Sequence, residues 1–356
     1  MNDAPSKTLV ICCDGTWNSP DQKGRPTNVT KMTRAILPRK ADGRTQLVYY
    51  DEGVGTGNLT DRVVGGALGI GLGKNVQEAY RFLALNFEPG DEIVMFGFSR
   101  GAFTVRSLAG LVNLVGLLHK GDLDHMDDIW SYYRTKPSER TPDLLYGAER
   151  IAERQPGIDL LGVWDTVGAL GIPGNLLGRI GRRRYEFHDV TLGPKTKRAY
   201  QALAIDEHRR TFSAAVWDTR AVGETQDVDQ VWFAGAHSNV GGGYPNATLS
   251  DQAFIWMVQK ARCLLEFDQD YISRRVEVLA DDQARGTIID PLTGVWKLLG
   301  RALREIGRDP SERLHPSVLR RRDRRERYDK GAEPFDPYPY DPPNLRDYLE
   351  RTGHAQ

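Results

Sequence analysis

Residues 97–101 read Gly97-Phe98-Ser99-Arg100-Gly101, a G-x-S-x-G pattern. In such a pattern a serine sits on a sharp strand-to-helix turn, and the flanking residues are small because larger side chains would collide. The turn lifts the serine oxygen above a sheet edge. It also sets the N–H of Arg100 at a helix N-terminus, where developing negative charge is stabilised. Five residues alone are a weak signal, but their context strengthens it. EIVMFGF over 92–98 reads as a strand, and AFTVRSLAGLVNL after the pattern reads as a helix. The chemistry expected of Ser99 is nucleophilic acyl transfer, with Gly97 and Gly101 as the elbow glycines.

A serine hydroxyl is a weak nucleophile near neutral pH. It needs a base, and the base needs an orienting acid. Behind such an elbow the chain order is Ser, then Asp or Glu, then His. Of seven histidines, only His237 directly follows a strong strand, in VWFAGAHSNVGGGY over 231–244. The glycines Gly241, Gly242 and Gly243 allow that loop to approach a ligand closely. Two acids lie between Ser99 and His237 at the ends of apolar runs. Asp165 ends IDLLGVWD and Asp218 ends AAVWD, and the pattern alone does not separate them.

Asp14-Gly15-Thr16-Trp17 follows the first apolar run. The loop after the strand beside a nucleophile strand supplies the second oxyanion donor, so the N–H of Gly15 or Thr16 is the candidate. A haloacid-dehalogenase phosphatase also carries an Asp-Gly-Thr-like turn there, but it needs Asp-x-Asp, and position 12 is Cys. A phosphate loop over 65–75 fails because Leu68 and Asn75 stand where Gly and Ser/Thr are required. The run Arg320–Arg327 reads as a solvated helix face, with an anionic membrane surface as the alternative.

These side chains need a scaffold. The first half alternates strands (8–13, 46–50, 92–98) with helices (74–87, 102–118), the pattern of an α/β protein with a mainly parallel sheet and helices on both faces. Cys12 and Cys13 fall in the first strand and should point to opposite faces. A helical insertion is expected over about 120–156, followed by a strand over 158–164. A Gly- and Arg-rich loop over 168–185, a helix over 197–205, strands over 211–217 and 229–234, and a helix over 250–265 capped by Ser250 complete the pattern. Beyond about Phe267 the sheet pattern stops. The domain division is therefore a catalytic unit over 1–266 and a helical or irregular extension over 267–356, packed on it or tethered to it. The chain has 356 residues, 40% hydrophobic and 27% charged, as expected of a globular protein with a sizeable core. Lys plus Arg (48) balance Asp plus Glu (48), which disfavours a nucleic-acid partner. Three cysteines, two adjacent, make neither a disulfide scaffold nor a zinc site. Neither an apolar run long enough to span a bilayer nor a Sec signal is visible, so synthesis in the cytoplasm is expected.

DGTWN over 14–18, GFSRGA over 97–102, GVWDTVG over 162–168 and WFAGAHSNVGGGY over 232–244 occur in order. Together they resemble a bacterial and fungal α/β-hydrolase family, long called a domain of unknown function, which includes the type VI secretion phospholipase effectors. The likeness runs from about Thr8 to Leu265. It implies an α/β-hydrolase fold, Ser99 as nucleophile, Asp165 as acid and His237 as base, with backbone donors from Arg100 and from Gly15 or Thr16. It favours Asp165 over Asp218 because the Asp-Thr-Val context is the family's. Asp206-Glu207 also resembles a family segment, without an assigned role. The resemblance implies a carboxylic ester hydrolase, of phospholipase or lipase type, with no metal or organic cofactor. It further implies a lipid or small acyl-ester substrate, contact with a membrane surface, and export by a type VI-like route with secretion-machinery or immunity partners. The alternatives are an intracellular esterase or thioesterase on soluble acyl compounds and a non-catalytic interaction domain.

Overall fold

The computed structural model describes residues 6–16, 26–53, 67–141, 154–167, 192–220, 222–223, 225–275, 286–323 and 339–353. Strand β1 (Thr8–Thr16) is apolar on both faces and lies between β2 (Gln46–Gly53) and β3 (Glu92–Phe98). The sheet continues through β4 (Leu160–Trp164), β5 (Arg198–Ala204), β6 (Asp227–Phe233) and β7 (Glu312–Leu314), in the order β2-β1-β3-β4-β5-β6-β7. All neighbouring strands pair in parallel. A parallel sheet has both faces covered, and two apolar clusters do this. Helices α2 (Ala67–Asn86), α3 (Arg100–Val115) and α4 (Met126–Arg134) cover the face that Cys13 points to. Helix α1 (Asn28–Ala35) covers the face of Cys12, with α6 (Thr248–Ala261) and α7 (Gln269–Arg275). Between β6 and α6 lies the short helix α5 (His237–Gly241). This is the α/β-hydrolase arrangement.

Several expectations need correction. Residues 197–205 are not a helix but β5, buried along nearly its whole length. Ala, Gln and Leu favour a helix in isolation, but pairing with β4 on one side and β6 on the other overrides that preference. Residues 211–217 are not a strand. A side chain replaces the ladder there: Gln230 Oε1 accepts from Trp217 N at 2.7 Å, and Gln230 Nε2 donates to Trp217 O at 3.0 Å. Helix α2 starts at Ala67, a turn and more before the expected Lys74. Ser250 is not a cap but lies inside the first turn of α6, its hydroxyl donating to Ala247 O. Around the expected insertion the described part holds short 3₁₀ turns (Lys120–His125, Pro137–Glu139) flanking α4. The expected loop over 168–185 lies outside the described residues.

The sheet also does not stop near Phe267. Strand β7 pairs with β6 (Trp232 opposite Leu314), and a third apolar cluster joins Leu203, Ile205 and Trp232 to Ile306, Val318, Leu345 and Leu349. Of the C-terminal elements α8 (Val295–Leu298), α9 (Pro316–Arg322) and α10 (Pro343–Thr352), the last two carry Val318, Leu345 and Leu349 of this cluster. At the end of α9, Arg321 is buried, donating to Gly286 O at 2.8 Å and lying over the Tyr340 ring, so it is no solvated side chain. Residues 324–327 of the arginine run lie outside the described residues.

Candidate active site

Among the described residues two non-glycines have positive φ: Ser99 (57°) and Asp165 (42°). Each follows the C-terminal end of a central strand, β3 and β4. The two ends are tied together, since Ser99 N donates to Trp164 O at 3.1 Å. Backbone strain of this kind costs on the order of 1–3 kcal/mol per residue and persists only where the surroundings enforce it.

The glycines on either side of Ser99 show how tightly the turn is enclosed. A Cβ on Gly97 would lie 2.5 Å from Gly101 O, and one on Gly101 would lie 2.0 Å from Cys13 O and 2.6 Å from Asp14 O. Gly101 is therefore needed less for its own turn than because the end of β1 crosses directly over it. That end is fastened by Asp14, whose buried carboxylate accepts from Thr27 Oγ1 (2.5 Å), Tyr50 OH (2.7 Å), Thr30 Oγ1 (2.9 Å) and Gly15 N (2.6 Å). Burial pushes the Asp14 carboxyl above its usual range, with the hydroxyls and the amide partly offsetting it. The bond to Asp14 turns the Gly15 N–H toward that carboxylate.

His237 opens α5, directly after β6. Its Nε2 lies 2.8 Å from Ser99 Oγ and its Nδ1 lies 2.6 Å from Asp165 Oδ2. The ring packs against Phe98, centroids 4.6 Å apart, and meets Phe212 edge-on at 5.1 Å. Its backbone N–H donates to Glu207 Oε2 at 3.3 Å. Glu207 in turn accepts a forked pair of bonds from Arg209 Nε and Nη2. Burial raises the Glu207 carboxyl, but Arg209 outweighs it and holds the group below its usual range. The neighbouring Asp206 accepts from Gly235 N and from Tyr340 OH. The Asp206-Glu207 pair thus clamps the chain on which His237 is mounted.

Asp165 is fully buried. Oδ1 accepts from Ala204 N (2.9 Å) and Arg304 Nη1 (2.6 Å), while Oδ2 faces His237 and accepts from Arg304 Nη2 (3.0 Å). Burial alone would push this carboxyl up. The Arg304 charge and the His237 contact overcome it and hold the carboxyl well below the usual carboxylate range. Asp218, the other candidate acid, is half-exposed and paired with Arg220 at 2.6–2.9 Å. Ser99, His237 and Asp165 thus come together, and Asp218 stands outside the cluster. No local signal in the sequence marks Arg304. It lies in a stretch, RALREIG, that carries no motif, and no spacing in the sequence points to it.

The chain matches the family described as type VI secretion phospholipase effector Tle1-like, catalytic domain, over residues 7–260. The chain belongs to this family. A curated relative, the uncharacterized protein YEL023C of Saccharomyces cerevisiae, is 29% identical over 194 residues, covering 48% of this chain and 28% of its own. Among solved structures, an uncharacterized protein from Pseudomonas aeruginosa is 16% identical with TM-score 0.41, covering 80% of this chain and 48% of the other. The Tle1 effector bound to the VgrG spike of the type VI secretion system is 19% identical with TM-score 0.41, covering 67% and 52%. The carboxylesterase Cest-2923 of Lactobacillus plantarum is 16% identical with TM-score 0.36, covering 73% and 85%. The chain thus spans about a quarter of the yeast relative and about half of the first two structures. Arg304 lies outside the segment that matches the Tle1-like family. Among the described residues no single helix is long and apolar enough to cross a membrane.

Proposed function

We propose that this Tle1-like domain is a serine ester hydrolase that cleaves carboxylic esters of phospholipids or related lipids. The observation that carries the reading is the unbroken line Ser99 Oγ–His237 Nε2 (2.8 Å) and His237 Nδ1–Asp165 Oδ2 (2.6 Å). In the proposed reaction Ser99 Oγ attacks the ester carbonyl while His237 Nε2 takes its proton. Asp165 holds the imidazole in the tautomer that accepts at Nε2 and stabilises the imidazolium. His237 returns the proton to the leaving alcohol, an acyl-enzyme forms on Ser99, and His237 then activates water to release the acid. The Arg100 N–H, at the start of α3 where intrahelical acceptors are absent, faces the developing oxyanion. Because Gly15 N–H donates to Asp14, the second donor is assigned to Thr16. Membership of the family supports a phospholipid substrate and delivery by a type VI-like apparatus.

The test is reaction with a fluorophosphonate probe, followed by lipid analysis of phospholipid vesicles treated with wild-type and Ser99→Ala protein. Labelling and release of fatty acid by the wild type alone are expected. A wild type that resists the probe would make the domain a non-catalytic scaffold. Turnover of short soluble esters with intact vesicles would make it a soluble-acyl esterase.

A further inference from the structure

We propose that Arg304 is a positioning residue for the reaction, acting through Asp165: it fixes the plane of the carboxylate that orients His237 and sets a buried positive charge against it. The inference rests on the reading of Ser99, His237 and Asp165 given above.

The observations concern satisfaction and charge. A guanidinium has five N–H donors, and Arg304 uses all of them. Nη1 donates to Asp165 Oδ1 and Ala204 O, Nη2 to Asp165 Oδ2 and Phe212 O, and Nε to Phe212 O, at 2.6–3.1 Å. The carboxylate is filled in the same way, each oxygen taking one Arg304 donor and one other, Ala204 N or His237 Nδ1. The Arg304 backbone is anchored as well. Asn344 Nδ2, in the first turn of α10, bridges Arg304 O and Ile205 O at 3.0 and 3.1 Å. A chain of direct contacts therefore runs from α10 through Arg304 and Asp165 to His237 and Ser99.

An ordering role could be met by neutral donors, and a buried cation does something more. An unopposed carboxylate against an imidazole favours the imidazolium, which cannot accept the Ser99 proton. Among the described residues the charged groups at His237 are Asp165 and Arg304 on one side and Glu207 on the other, with Arg209 and the neutral phenol of Tyr244 beyond Glu207. Among the described residues Asp165 is paired with Arg304 and Glu207 with Arg209, so each carboxylate that contacts His237 has its own cation. The imidazolium forms when the oxyanion forms, and is stabilised then.

The experiment compares Arg304→Met and Arg304→Lys with wild type on a soluble ester across pH, beside Ser99→Ala. For Arg304→Met the expected kcat loss is about 10- to 100-fold, and the acidic limb of kcat/KM should move up by roughly one pH unit. Arg304→Lys keeps the charge and loses the fork, so its kcat should fall less and its acidic limb stay near wild type. In Asp165→Asn, adding Arg304→Met should cost little further activity, because both changes act on the same contact. That double variant leaves no buried unpaired charge, so it also reads the coupling if Arg304→Met fails to fold. An unmoved limb in Arg304→Met, a limb moved up in Arg304→Lys, or multiplicative losses in the double variant would overturn the proposal. Full activity in Ser99→Ala would instead overturn the reading of the site itself.

Discussion

Two aspartates follow a Val-Trp pair, Asp165 after Val163-Trp164 and Asp218 after Val216-Trp217, and they have come to opposite ends. The first closes a paired central strand, is fully buried with φ 42°, and meets both an imidazole and a guanidinium. The second closes a stretch whose last residue, Trp217, bonds through its backbone to a glutamine side chain, and it pairs at the surface with Arg220, two residues along. Both carboxyls are held below the usual range, Asp165 by Arg304 and His237 against its burial, and Asp218, at about 2, by its bonds to Arg220. The same direction of shift therefore means different things. A buried acid with a fixed cation is built into the site, whereas a half-exposed one bonded to a near neighbour is screened by solvent.

The largest effect sets the floor for this comparison. Ser99→Ala should lower kcat by about 10⁵- to 10⁶-fold with the fold intact, since only binding and oxyanion contacts remain. Circular dichroism beside ester turnover checks it, and wild-type-like turnover would remove Ser99 from the mechanism. Asp165→Asn should lower kcat by about 10⁴-fold with little change in KM, because the amide can hold His237 in the wrong tautomer. It also leaves Arg304 buried beside a neutral group, so melting should fall in Asp165→Asn and recover in part in Asp165→Asn/Arg304→Met.

Glycines next to the two regions sharpen the contrast. A Cβ at Gly101 would enter the Cys13 carbonyl, whereas at Gly223 the nearest contact is a glutamine side-chain oxygen at 3.7 Å. Gly101→Val should therefore cost about 3 kcal/mol or more and abolish activity, as β1 must move away. Gly223→Ala should melt like wild type. Equal melting of the two variants would mean that β1 does not press on the elbow.

Acid provides a further contrast. A carboxyl whose folded pKa is depressed stabilises the fold above its unfolded value, near pH 4, and that contribution is lost as pH falls toward the folded value. For the buried Asp165 the loss should be visible in denaturant titrations below about pH 4, and shallower in Asp165→Asn/Arg304→Met. Asp218→Asn should change the slope far less, because its pair with Arg220 is screened by solvent.

Much of the candidate site is legible in the sequence because its geometry has a local signature. Ser99 lies between glycines, a strand and a helix, and His237 directly follows a strand, so sequence neighbours carry the information. The choice between Asp165 and Asp218 could not be read from pattern, since what separates them is the surroundings: β5 and Arg304 on one side, open solvent on the other. Residues 197–205 read as a helix because their Ala-rich composition favours one until β4 and β6 are present to pair with them. β7 has three residues, too few for a period of two to stand out. Arg304 depends on a contact between residues 139 apart, which nothing local encodes.

The smallest expected effect is at Asp218, and it is where the comparison is most easily broken. Its side chain is 45% exposed and that of Arg220 is 75% exposed, so water competes with the pair throughout. Removing the carboxylate leaves no buried group unsatisfied, because Arg220 can turn to solvent. The adjoining structure is held independently: Thr219 N and Oγ1 donate to Asp309, and Trp217 is bonded through its backbone to Gln230. Asp218→Asn should thus change kcat by less than about tenfold and leave the melting temperature and acidic limb at wild-type values. The measurement is kcat for both Asn variants on one short-chain ester, with folding checked in parallel. A folded Asp165→Asn enzyme near wild-type rate, beside an inactive Asp218→Asn enzyme, would reverse the assignment of the acid. It would also mean that the Asp165–Arg304 contact is an internal ion pair with no part in catalysis.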